Sequence, residues 1–529
     1  MFRRMVLLAA TLGCLVAPAW RTPARAAPAR AADTVLHFRL GEDPETLYNI
    51  KSLSLTVNSV LGAYLLERLV YFDATGTPQP WLATGWTVSD DQKVVTFKLR
   101  SGVVFSDGTP FNAAAAKSQF DLVLDKANAS PLLSRLGTLQ KVEAPDPTTL
   151  VFSFSAPYAP FFANIAQAGF GFNSPTAIAK SGDQYGRNPV GTGPYMLKSW
   201  VPGTEITLVR NPHFQQFRGD ALNKGAPYAS QVVLTVISEE AVAQAALESG
   251  ELTAANVAAD AIDRMVQNPQ FHTVINKVVT NLYFVEFNET HPPFNDPAMR
   301  QAVSFAINRD AVVKAAFNGY AHTANDPLAN GIPGYDAAIG AKYGPTFDPA
   351  AAKALLAKAG WTPGPDGKLV KDGKAAMFSL KSYSGFEVVD RTLSVIQSNL
   401  ADIGIGTKIE TADWGSFYPS LLKPDWDIDL MRWTSSDPSI LSLLFRSPGH
   451  RKATLENAAQ DDILDRCNTL MDQKARTACV GEAQISLLQT ATIAPVASDW
   501  VVIFTQANVK DYNLDFFNNL IPGDIQVAE

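Results

Sequence analysis

Two helical stretches of the sequence carry the same start and stop signals. One begins at Asp296-Pro297 and reads PAMRQAVSFAINRDAVVKAAF, and the other begins at Asp348-Pro349 and reads PAAAKALLAKAG. In each, an aspartate is placed to cap the helix, a proline occupies the first turn, and a glycine follows the end. Strand-like runs with alternating apolar residues, such as TVLHFRL at 34–40, stand between helical stretches along the chain. This alternation predicts an α/β or mixed fold with more than one lobe.

The length, composition and net charge of the chain limit the classes of protein to which it can belong. The chain has 529 residues, of which 47% are hydrophobic, and its mean hydropathy is close to zero. This composition is typical of a globular protein with about three to four domain-sized units. The formal net charge moves from −7 to −12 when residues 1–32 are removed, because they hold five arginines and no acidic residue. An acidic mature chain argues against nucleic acid and anionic membranes as partners.

The first 32 residues have the pattern of a secretory signal peptide. Arg3 and Arg4 precede a short apolar run, MVLLAATLGCLVAPAW, and Ala-Arg-Ala follows twice. This order predicts export and cleavage near Ala26 or Ala31. The run is too short for a typical membrane span. A lipid anchor on Cys14 stays open as an alternative.

Two cysteines remain after the signal segment, Cys467 and Cys479. Both lie in a helical pattern, and the intervening DQKAR is a candidate for the turn of a helical hairpin. An even number of cysteines in an oxidising compartment favours a disulfide, and two free buried thiols are the alternative. The spacing is not Cys-x-x-Cys, so we expect a bridge here to be structural.

The motifs that would indicate an enzyme are weak. The sequence has no G-x-S-x-G nucleophile elbow, no Walker-type phosphate loop and no H-E-x-x-H pair. SLLK at 420–423 matches Ser-x-x-Lys, but S-D-N and K-T-G do not accompany it. The histidines are scattered, which argues against a zinc site. We therefore predict no catalytic residues, no protein-held metal and no cofactor.

Several segments resemble one known family. They are LLERLVYFDATGTPQPWLATGWTVSDDQKVVTFKLRSGVVFSDGTPFNA, PVGTGPYMLKSW, ITLVRNPHF and YFVEFNETHPPFNDPAMRQAVSFAINRDAVV. The chain is similar to the family 5 extracellular solute-binding proteins of ABC importers, the peptide- and nickel-binding group. The resemblance runs over nearly the whole mature chain. The nickel-binding branch holds metal through a small chelator, so the lack of histidine pairs does not exclude it.

The resemblance implies a two-lobed periplasmic-binding-protein fold of type II, with a hinge between the lobes and an extra subdomain on lobe I. Carried onto this chain, lobe I is 33–70, 196–284 and 500–529, the extra subdomain is 71–195, and lobe II is 285–499. The hinge would lie where the chain crosses between lobes, near Phe284 and Trp500. Such binders hold a ligand in the cleft and close over it, which requires contacts from both lobes.

The stretch RWTSSDPSIL, 432–441, is the main candidate for a ligand-binding loop. In peptide-binding relatives, an Asp three residues after a Trp pairs with the peptide's ammonium group. Here Ser436 stands at that spacing after Trp433, and Asp437 comes one residue later. Asp437 is therefore either a shifted ligand contact or the cap of a helix that begins at Pro438. Trp433 is either a core residue or a stacking floor for ligand.

Other candidate contacts follow strands, where open α/β sheets bind ligands. The lobe II candidates are Trp433, Thr434, Ser435, Ser436, Asp437, Tyr383, Trp414 and, more weakly, Tyr418. The lobe I candidates are Glu45, Thr46 and Asn49, with Phe170 and Phe172 from the extra subdomain.

The function that the resemblance implies is that of the periplasmic substrate-binding component of an ABC transporter. Its partners would be a small solute and permease subunits in the inner membrane, with no nucleic acid, and the chain would act as a monomer. Peptide is the first expectation for the ligand. A non-peptide solute, such as an opine, a metal chelate or an oligosaccharide, is the alternative. A secreted hydrolase or a chaperone-like binder is the alternative from another class.

Overall fold

The computed structural model describes residues 34–423, 425–447 and 453–528. The predicted signal peptide, with Cys14, lies outside these residues. Three larger sheets organise the described chain, and helices pack against them. None of those helices is both long and apolar enough to cross a membrane.

A seven-stranded sheet is the centre of the part that we call lobe I. Its strands in spatial order are Phe271–Asn276, Val501–Gln506, Ala254–Ala255, Val35–Leu40, Gln231–Val236, Glu205–Arg210 and Tyr195–Val201. The central strand, Val35–Leu40, pairs in parallel with Gln231–Val236 and with Ala254–Ala255. Every second residue of this strand is buried, as the alternation in VLHFRL predicts.

A six-stranded sheet is the centre of lobe II. Its strands in spatial order are Ala321–Thr323, Ile493–Asp499, Asn281–Phe287, Ile428–Thr434, Met377–Tyr383 and Gly406–Ala412. Strand Met377–Tyr383 runs parallel to both of its neighbours, whereas Asn281–Phe287 runs antiparallel to both of its own. Asn281–Phe287 is buried at every position, because its sheet is covered on both faces.

A four-stranded antiparallel sheet is the centre of the extra subdomain. Its strands in spatial order are Ala83–Val88, Val94–Leu99, Thr149–Phe154 and Leu139–Asp146. Aromatic side chains fill the core beneath it, and Phe97, Phe120, Phe152 and Phe161 are fully buried there. Their rings meet at centroid distances of 4.8 to 6.3 Å, mostly edge to face or tilted, which are favourable arrangements for aromatic pairs.

Smaller strands complete the described chain. They form three further sheets: Val70–Phe72 with Pro78–Pro80; Thr362–Pro363, Leu369–Lys371 and Lys374–Ala375; and Val509–Lys510 with Gln526–Val527. The α-helices are Leu55–Val60, Ala113–Leu124, Phe161–Ile165, Pro175–Ser181, Glu240–Glu248, Ile262–Val266, Pro297–Ala306, Arg309–Phe317, Ala337–Tyr343, Pro349–Lys358, Glu387–Asp402, Trp414–Ser420, Ile440–Phe445, Ala458–Thr469 and Gln473–Gln489.

The predicted boundaries of the lobes stay a prediction, but one of them falls inside a strand. The predicted change from lobe I to lobe II between residues 284 and 285 falls inside strand Asn281–Phe287. That strand belongs wholly to the six-stranded sheet, so the chain leaves lobe I between Asn276 and Asn281. The continuous apolar run NLYFVEF hid this boundary, because nothing in it marks a change of lobe.

The predicted helix starts at Asp296 and Asp348 are confirmed. Asp296 accepts a hydrogen bond from the backbone of Ala298, and Asp348 accepts one from that of Ala351. The long helix predicted after Asp296 is wrong in its length, because it ends at Ala306 and a second helix begins at Arg309. The side chain of Asn308 caps this second helix by accepting from the backbone N–H of Ala311.

The predicted helical hairpin consists of Ala458–Thr469 and Gln473–Gln489. Its turn lies at 470–472, earlier than DQKAR suggested, because Asp472 caps the second helix by accepting from Ala475 N–H. A disulfide bond joins Cys467 to Cys479 across the hairpin, with an S–S distance of 2.04 Å.

A buried charged cluster links lobe I with the start of the extra subdomain. The indole N–H of Trp81 donates to the Glu67 carboxylate at 2.8 Å. The guanidinium groups of Arg68 and Arg218 lie 4.4 and 4.6 Å from the Trp81 ring centroid, within the range of cation–π contacts. Burial raises the pKa of Glu67 to about 7, although the hydrogen bond from Trp81 and the two arginines act in the opposite direction.

Candidate functional site

The two large sheets meet where the chain crosses between them. Trp500 alone separates strand Ile493–Asp499 of lobe II from strand Val501–Gln506 of lobe I. The other crossing takes residues 277–280. Asn281 and Asp499, at the lobe II ends of the crossings, bond reciprocally: each donates from its side chain or backbone nitrogen to the other at 3.1 Å. The end of each sheet at which its strands reach the crossings therefore lies next to the corresponding end of the other sheet. We call these two ends the lobe I edge and the lobe II edge.

The lobe II edge collects several of the predicted site residues. Strands Met377–Tyr383, Gly406–Ala412 and Ile428–Thr434 are parallel, so their C-terminal ends lie together. Thr434 pairs with Asn281, which places these ends at the edge where the chain crosses. Tyr383, Trp414 and Trp433 thus stand at or just beyond strand ends on this edge, as predicted for ligand contacts of an open α/β sheet.

An aromatic group with an exposed face lies on this edge. The ring of Tyr383 packs edge-on against Phe386 and Trp414 at centroid distances of 5.6 and 5.7 Å. Trp414 in turn stacks on Tyr418 at 5.4 Å. Trp414 is 48% exposed and Phe386 58%, whereas Tyr383 is buried. The indole of Trp414 is therefore open to a solute. Phe386 was missed by the sequence reasoning, although it stands directly after the Tyr383 loop.

Arg432 is a second residue that the sequence reasoning missed. It lies in strand Ile428–Thr434 beside Trp433, and its side chain is about one third exposed. Its guanidinium carbon lies 5.5 Å from the Tyr283 ring centroid, and two of its nitrogens lie 3.5 Å from an Asp499 carboxylate oxygen. Burial would lower the pKa of Arg432, but Asp499, together with Tyr283 and Tyr383, raises it above its ordinary value. A cation therefore sits at the lobe II edge. The feature of the sequence that could have indicated Arg432 is a charged residue near the end of a mostly apolar strand.

Trp433 and the three residues after it form a compact turn. Trp433 is half-buried and packs against the lobe II core, and Thr434 is exposed. The Ser435 backbone N–H donates to the carbonyl of Thr280 in the crossing at 3.0 Å. The Ser436 hydroxyl is buried and accepts a hydrogen bond at 3.4 Å from Gln167 of the extra subdomain. This turn thus contacts both a crossing and the opposite half of the molecule.

Asp437 is engaged within lobe II. Its two carboxylate oxygens each accept a hydrogen bond from Arg476 at 2.7 Å, and one also accepts from Ser439 N–H at 2.9 Å. Burial would raise the pKa of Asp437, but Arg476 and the Ser439 bond lower it below its ordinary value. Asp437 acts in part as the predicted cap, because it accepts from Ser439 N–H. The cation that pairs with its carboxylate is Arg476. We do not retain Asp437 as a ligand contact, because its carboxylate is buried and occupied.

The lobe I edge carries the loop after strand Val35–Leu40. That strand is parallel to Ala254–Ala255, which is antiparallel to Val501–Gln506, so its C-terminal end lies at the crossing edge. Glu45 in the following loop is exposed and accepts a hydrogen bond from the Ser52 hydroxyl. Thr46 is half-buried and lies against Gly186, where a Cβ would come within 2.1 Å of its hydroxyl oxygen.

Three predicted lobe I contacts have structural roles instead. Asn49 is fully buried, donates to the carbonyls of Gly169 and Gly171 at 2.8 Å each, and accepts from Asn173. Phe170 and Phe172 are buried in the aromatic core of the extra subdomain. The sequence showed only that these residues lie near loops, and it did not show that the loops fold inward.

The described part of the chain offers no group of three or more His, Cys, Asp or Glu side chains placed to hold a metal ion. The edges instead present aromatic faces, the Arg432 guanidinium, acidic side chains that include Glu45, and small hydroxyl groups. This set can bind a small polar solute by stacking, ion pairing and hydrogen bonds.

Comparisons with known proteins identify the group to which this chain belongs. A model of the bacterial extracellular solute-binding proteins, family 5, matches residues 77–452. The chain is 32% identical over 336 residues to the glutathione-binding protein GsiB of Escherichia coli O6:K15:H31. That alignment covers 63% of this chain and 61% of the relative, so it spans about three fifths of the relative's length.

Solved structures match over most of the chain. NikA from Brucella suis, in complex with Fe(III)-EDTA, has a TM-score of 0.84 and 24% identity, with 94% of this chain and 100% of that chain covered. AgaA from A. tumefaciens R10, in complex with agropinic acid, has a TM-score of 0.74 and 25% identity, with 94% and 99% covered. The predicted two-lobed α/β fold is confirmed. The chain belongs to the bacterial extracellular solute-binding proteins of family 5.

Proposed function

We propose that this chain is the substrate-binding component of an ABC importer and captures a small solute between its two lobes. The observation that carries the proposal is the juxtaposition of two sheet edges at the crossings, where Trp500 alone separates a strand of one sheet from a strand of the other. Each edge would present its side chains to a solute held between them, so that the solute contacts both lobes. Such a solute binds the closed arrangement better than the open one and shifts the population toward it.

The chemistry of the two edges favours a solute with both an anionic group and an apolar part. Arg432 supplies a cation and Trp414 supplies an exposed indole. On lobe I, Glu45 offers a carboxylate that suits an ammonium group. A short peptide carries all three features, and the related GsiB is named for binding glutathione. Peptide is therefore our first proposal for the ligand.

A non-peptide solute with carboxylates is the second proposal. The related AgaA was solved with agropinic acid, and NikA with Fe(III)-EDTA. Opines and metal chelates of this kind present several carboxylates and no free peptide amino terminus. The occupied carboxylate of Asp437 favours this class, because that residue is not free to receive an ammonium group. An oligosaccharide is favoured less, since it has no charge for Arg432 to bind.

We further propose that residues 1–32 direct the chain to the periplasm and are then removed. The mature chain would act there as a monomer and deliver its solute to permease subunits in the inner membrane. It would carry out no covalent chemistry on the solute. Turnover of a chromogenic ester that is lost in Ser420→Ala would contradict this last point.

The test begins with native mass spectrometry of the purified protein, which detects a retained solute by its mass. A thermal-shift panel follows, with glutathione, mixed di- to pentapeptides, agropinic acid, Fe(III)-EDTA and maltotriose. A ligand at a hundred times its dissociation constant adds about 2.7 kcal/mol to the free energy of unfolding, which is easily seen. A shift with at least one carboxylate-bearing compound is expected. A shift with maltotriose alone would contradict the proposed ligand chemistry.

A further inference from the structure

A second connection between the two halves of the molecule exists apart from the chain crossings. It is made by the hairpin tip, residues 468–472, of lobe II. The carbonyl of Asn468 accepts a hydrogen bond from the backbone N–H of Ala159 in the extra subdomain at 2.9 Å. The backbone N–H of Met471 donates to the side-chain oxygen of Gln92, also in the extra subdomain, at 2.9 Å. These bonds join residues more than 300 positions apart in the chain.

The hairpin tip also makes an apolar contact with the extra subdomain. Met471 is half-buried and packs against the aromatic core of that subdomain, although it belongs to lobe II by sequence. Methionine adapts well to such a surface because its side chain is unbranched and flexible. The contact is thus a small interface with an apolar centre and two hydrogen bonds at its border, one between backbone groups and one from the Met471 backbone to the Gln92 side chain.

Gln92 adopts a backbone conformation that few residues other than glycine favour. Its φ is +58°, in the tight turn between strands Ala83–Val88 and Val94–Leu99. A glycine would fit this turn with less strain, but it would have no side chain to reach Met471. Strained conformations of this kind tend to occur at functional sites, where the surrounding structure holds the residue in place. For Gln92, the contact that accompanies the strain is its hydrogen bond with the hairpin tip.

Hydrogen bonds and a disulfide connect the hairpin tip with the candidate ligand-binding turn. Arg476 donates to both oxygens of Asp437, and its Nε donates to the carbonyl of Cys467 at 3.2 Å. The Cys467–Cys479 disulfide ties the two helices beside the tip. Ser436, in the same turn, is also bonded to Gln167 of the extra subdomain. The turn at 434–437 and the hairpin tip therefore approach or leave the extra subdomain together.

We propose that the hairpin tip is a latch: it docks on the extra subdomain when the lobes close, and its contacts keep most of the chains closed even before a solute binds. This inference rests on the proposed closure over a solute, but its contacts involve none of the residues proposed to bind solute except the Ser436 hydroxyl. Gln92 and Met471 join the latch to the extra subdomain when the lobes are closed. Arg476 joins the latch to the ligand-binding turn.

The test is hydrogen-exchange mass spectrometry of the mature chain without added solute. The amide of Ala159 is the informative probe, because neither it nor its partner Asn468 is altered by the variants Gln92→Gly and Met471→Ala. The latch predicts that the Ala159 amide is protected in the wild type and exchanges about fivefold faster in each variant. A factor of about five corresponds to the loss of one ordinary hydrogen bond. Met377→Ala is the control, because Met377 is a half-exposed methionine of lobe II outside the tip.

Gln92→Gly separates a loosened latch from a damaged fold. Glycine suits a φ of +58°, so we expect the thermal midpoint to stay equal or rise while Ala159 exchanges faster. An unprotected Ala159 in the wild type, or unchanged exchange in both variants, would overturn the latch. Faster exchange throughout the four-stranded sheet would also overturn it, since that pattern means unfolding of the subdomain. Because no solute is added, these results are independent of the ligand panel.

Discussion

Arg476 donates to both carboxylate oxygens of Asp437, at 2.7 Å each, and both side chains are almost fully buried. The pair connects the end of strand Ile428–Thr434 with the second helix of the hairpin. It explains why an aspartate near the family's ligand-binding position is not exposed in this chain. In the nearby turn, Thr434 is exposed, and we propose it as the residue of this turn that contacts solute.

Removal of one partner of this pair should be costly. Asp437→Asn leaves the Arg476 charge buried and unpaired, and we expect a loss of about 3–5 kcal/mol in the free energy of unfolding by urea titration. The control is Asp465→Asn, which breaks the similar but exposed pair with Arg446. Exposed pairs contribute about 0–1 kcal/mol, so the control should change little. Equal effects of the two variants would show that Asp437 is not held as described.

The buried Glu67 carboxyl should make stability depend on pH. Its pKa is about 7 in the folded protein and near 4.5 when exposed, so folding favours its protonated form. The stability that this group contributes is complete below about pH 4.5 and is lost as the pH rises through 7.

Glu67→Gln should therefore remove a decline in stability of roughly 2–4 kcal/mol between these pH values. Urea unfolding at several pH values measures the slope. Glu143→Gln, at a half-exposed position paired with Lys141, serves as the control and should leave the slope unchanged. A wild-type profile with no such decline, or the same profile in Glu67→Gln, would contradict the protonated state of this carboxyl.

Arg432 should make the site prefer solutes that carry a negative charge. Arg432→Gln removes the cation at the lobe II edge while keeping a side chain of similar length. We expect carboxylate-bearing compounds of the panel to bind roughly ten- to a hundredfold more weakly by calorimetry, since hydrogen bonds to charged groups contribute about 1.5–3 kcal/mol. Asp499→Asn is the companion variant, because it frees Arg432 from its partner and should strengthen or preserve binding. Unchanged affinity in Arg432→Gln would exclude the arginine from the site.

Trp414 should contribute to binding and little to folding. Its indole is 48% exposed, so Trp414→Ala should lower the free energy of unfolding only slightly compared with a core tryptophan. Solute affinity should fall by roughly 1 kcal/mol or more, the order expected for a lost aromatic contact. Leu422→Ala, at a similarly exposed position close by in sequence, is the control and should bind solute as the wild type does. A loss of affinity in both variants would indicate a general effect on the surface.

Local signals in the sequence predicted the elements well and the site only in part. Asp296 and Asp348 were recognisable because caps act within one helical turn. The break at Asn308 was missed, because the apolar pattern continues through it while its side chain caps a new helix. Tyr383 and Trp414 follow strands, and the parallel register of those strands brings the two together.

Long-range contacts explain the errors. Asn49 looked like a loop residue open to solvent, but the carbonyls of Gly169 and Gly171, about 120 positions away, surround its side chain. The sequence left Asp437 open as either a helix cap or a ligand contact, because its partner Arg476 stands 39 positions later in the chain. No local pattern encodes either partner, because both depend on how distant segments pack.

The capture of a solute between two sheet edges is tested most directly by hydrogen exchange with and without a bound solute. The compound to add is the one detected by native mass spectrometry, with glutathione as the first probe. The account predicts that exchange slows together in residues 41–49 of lobe I and 432–436 of lobe II. Slowing confined to one lobe, or to surfaces away from both edges, would contradict it.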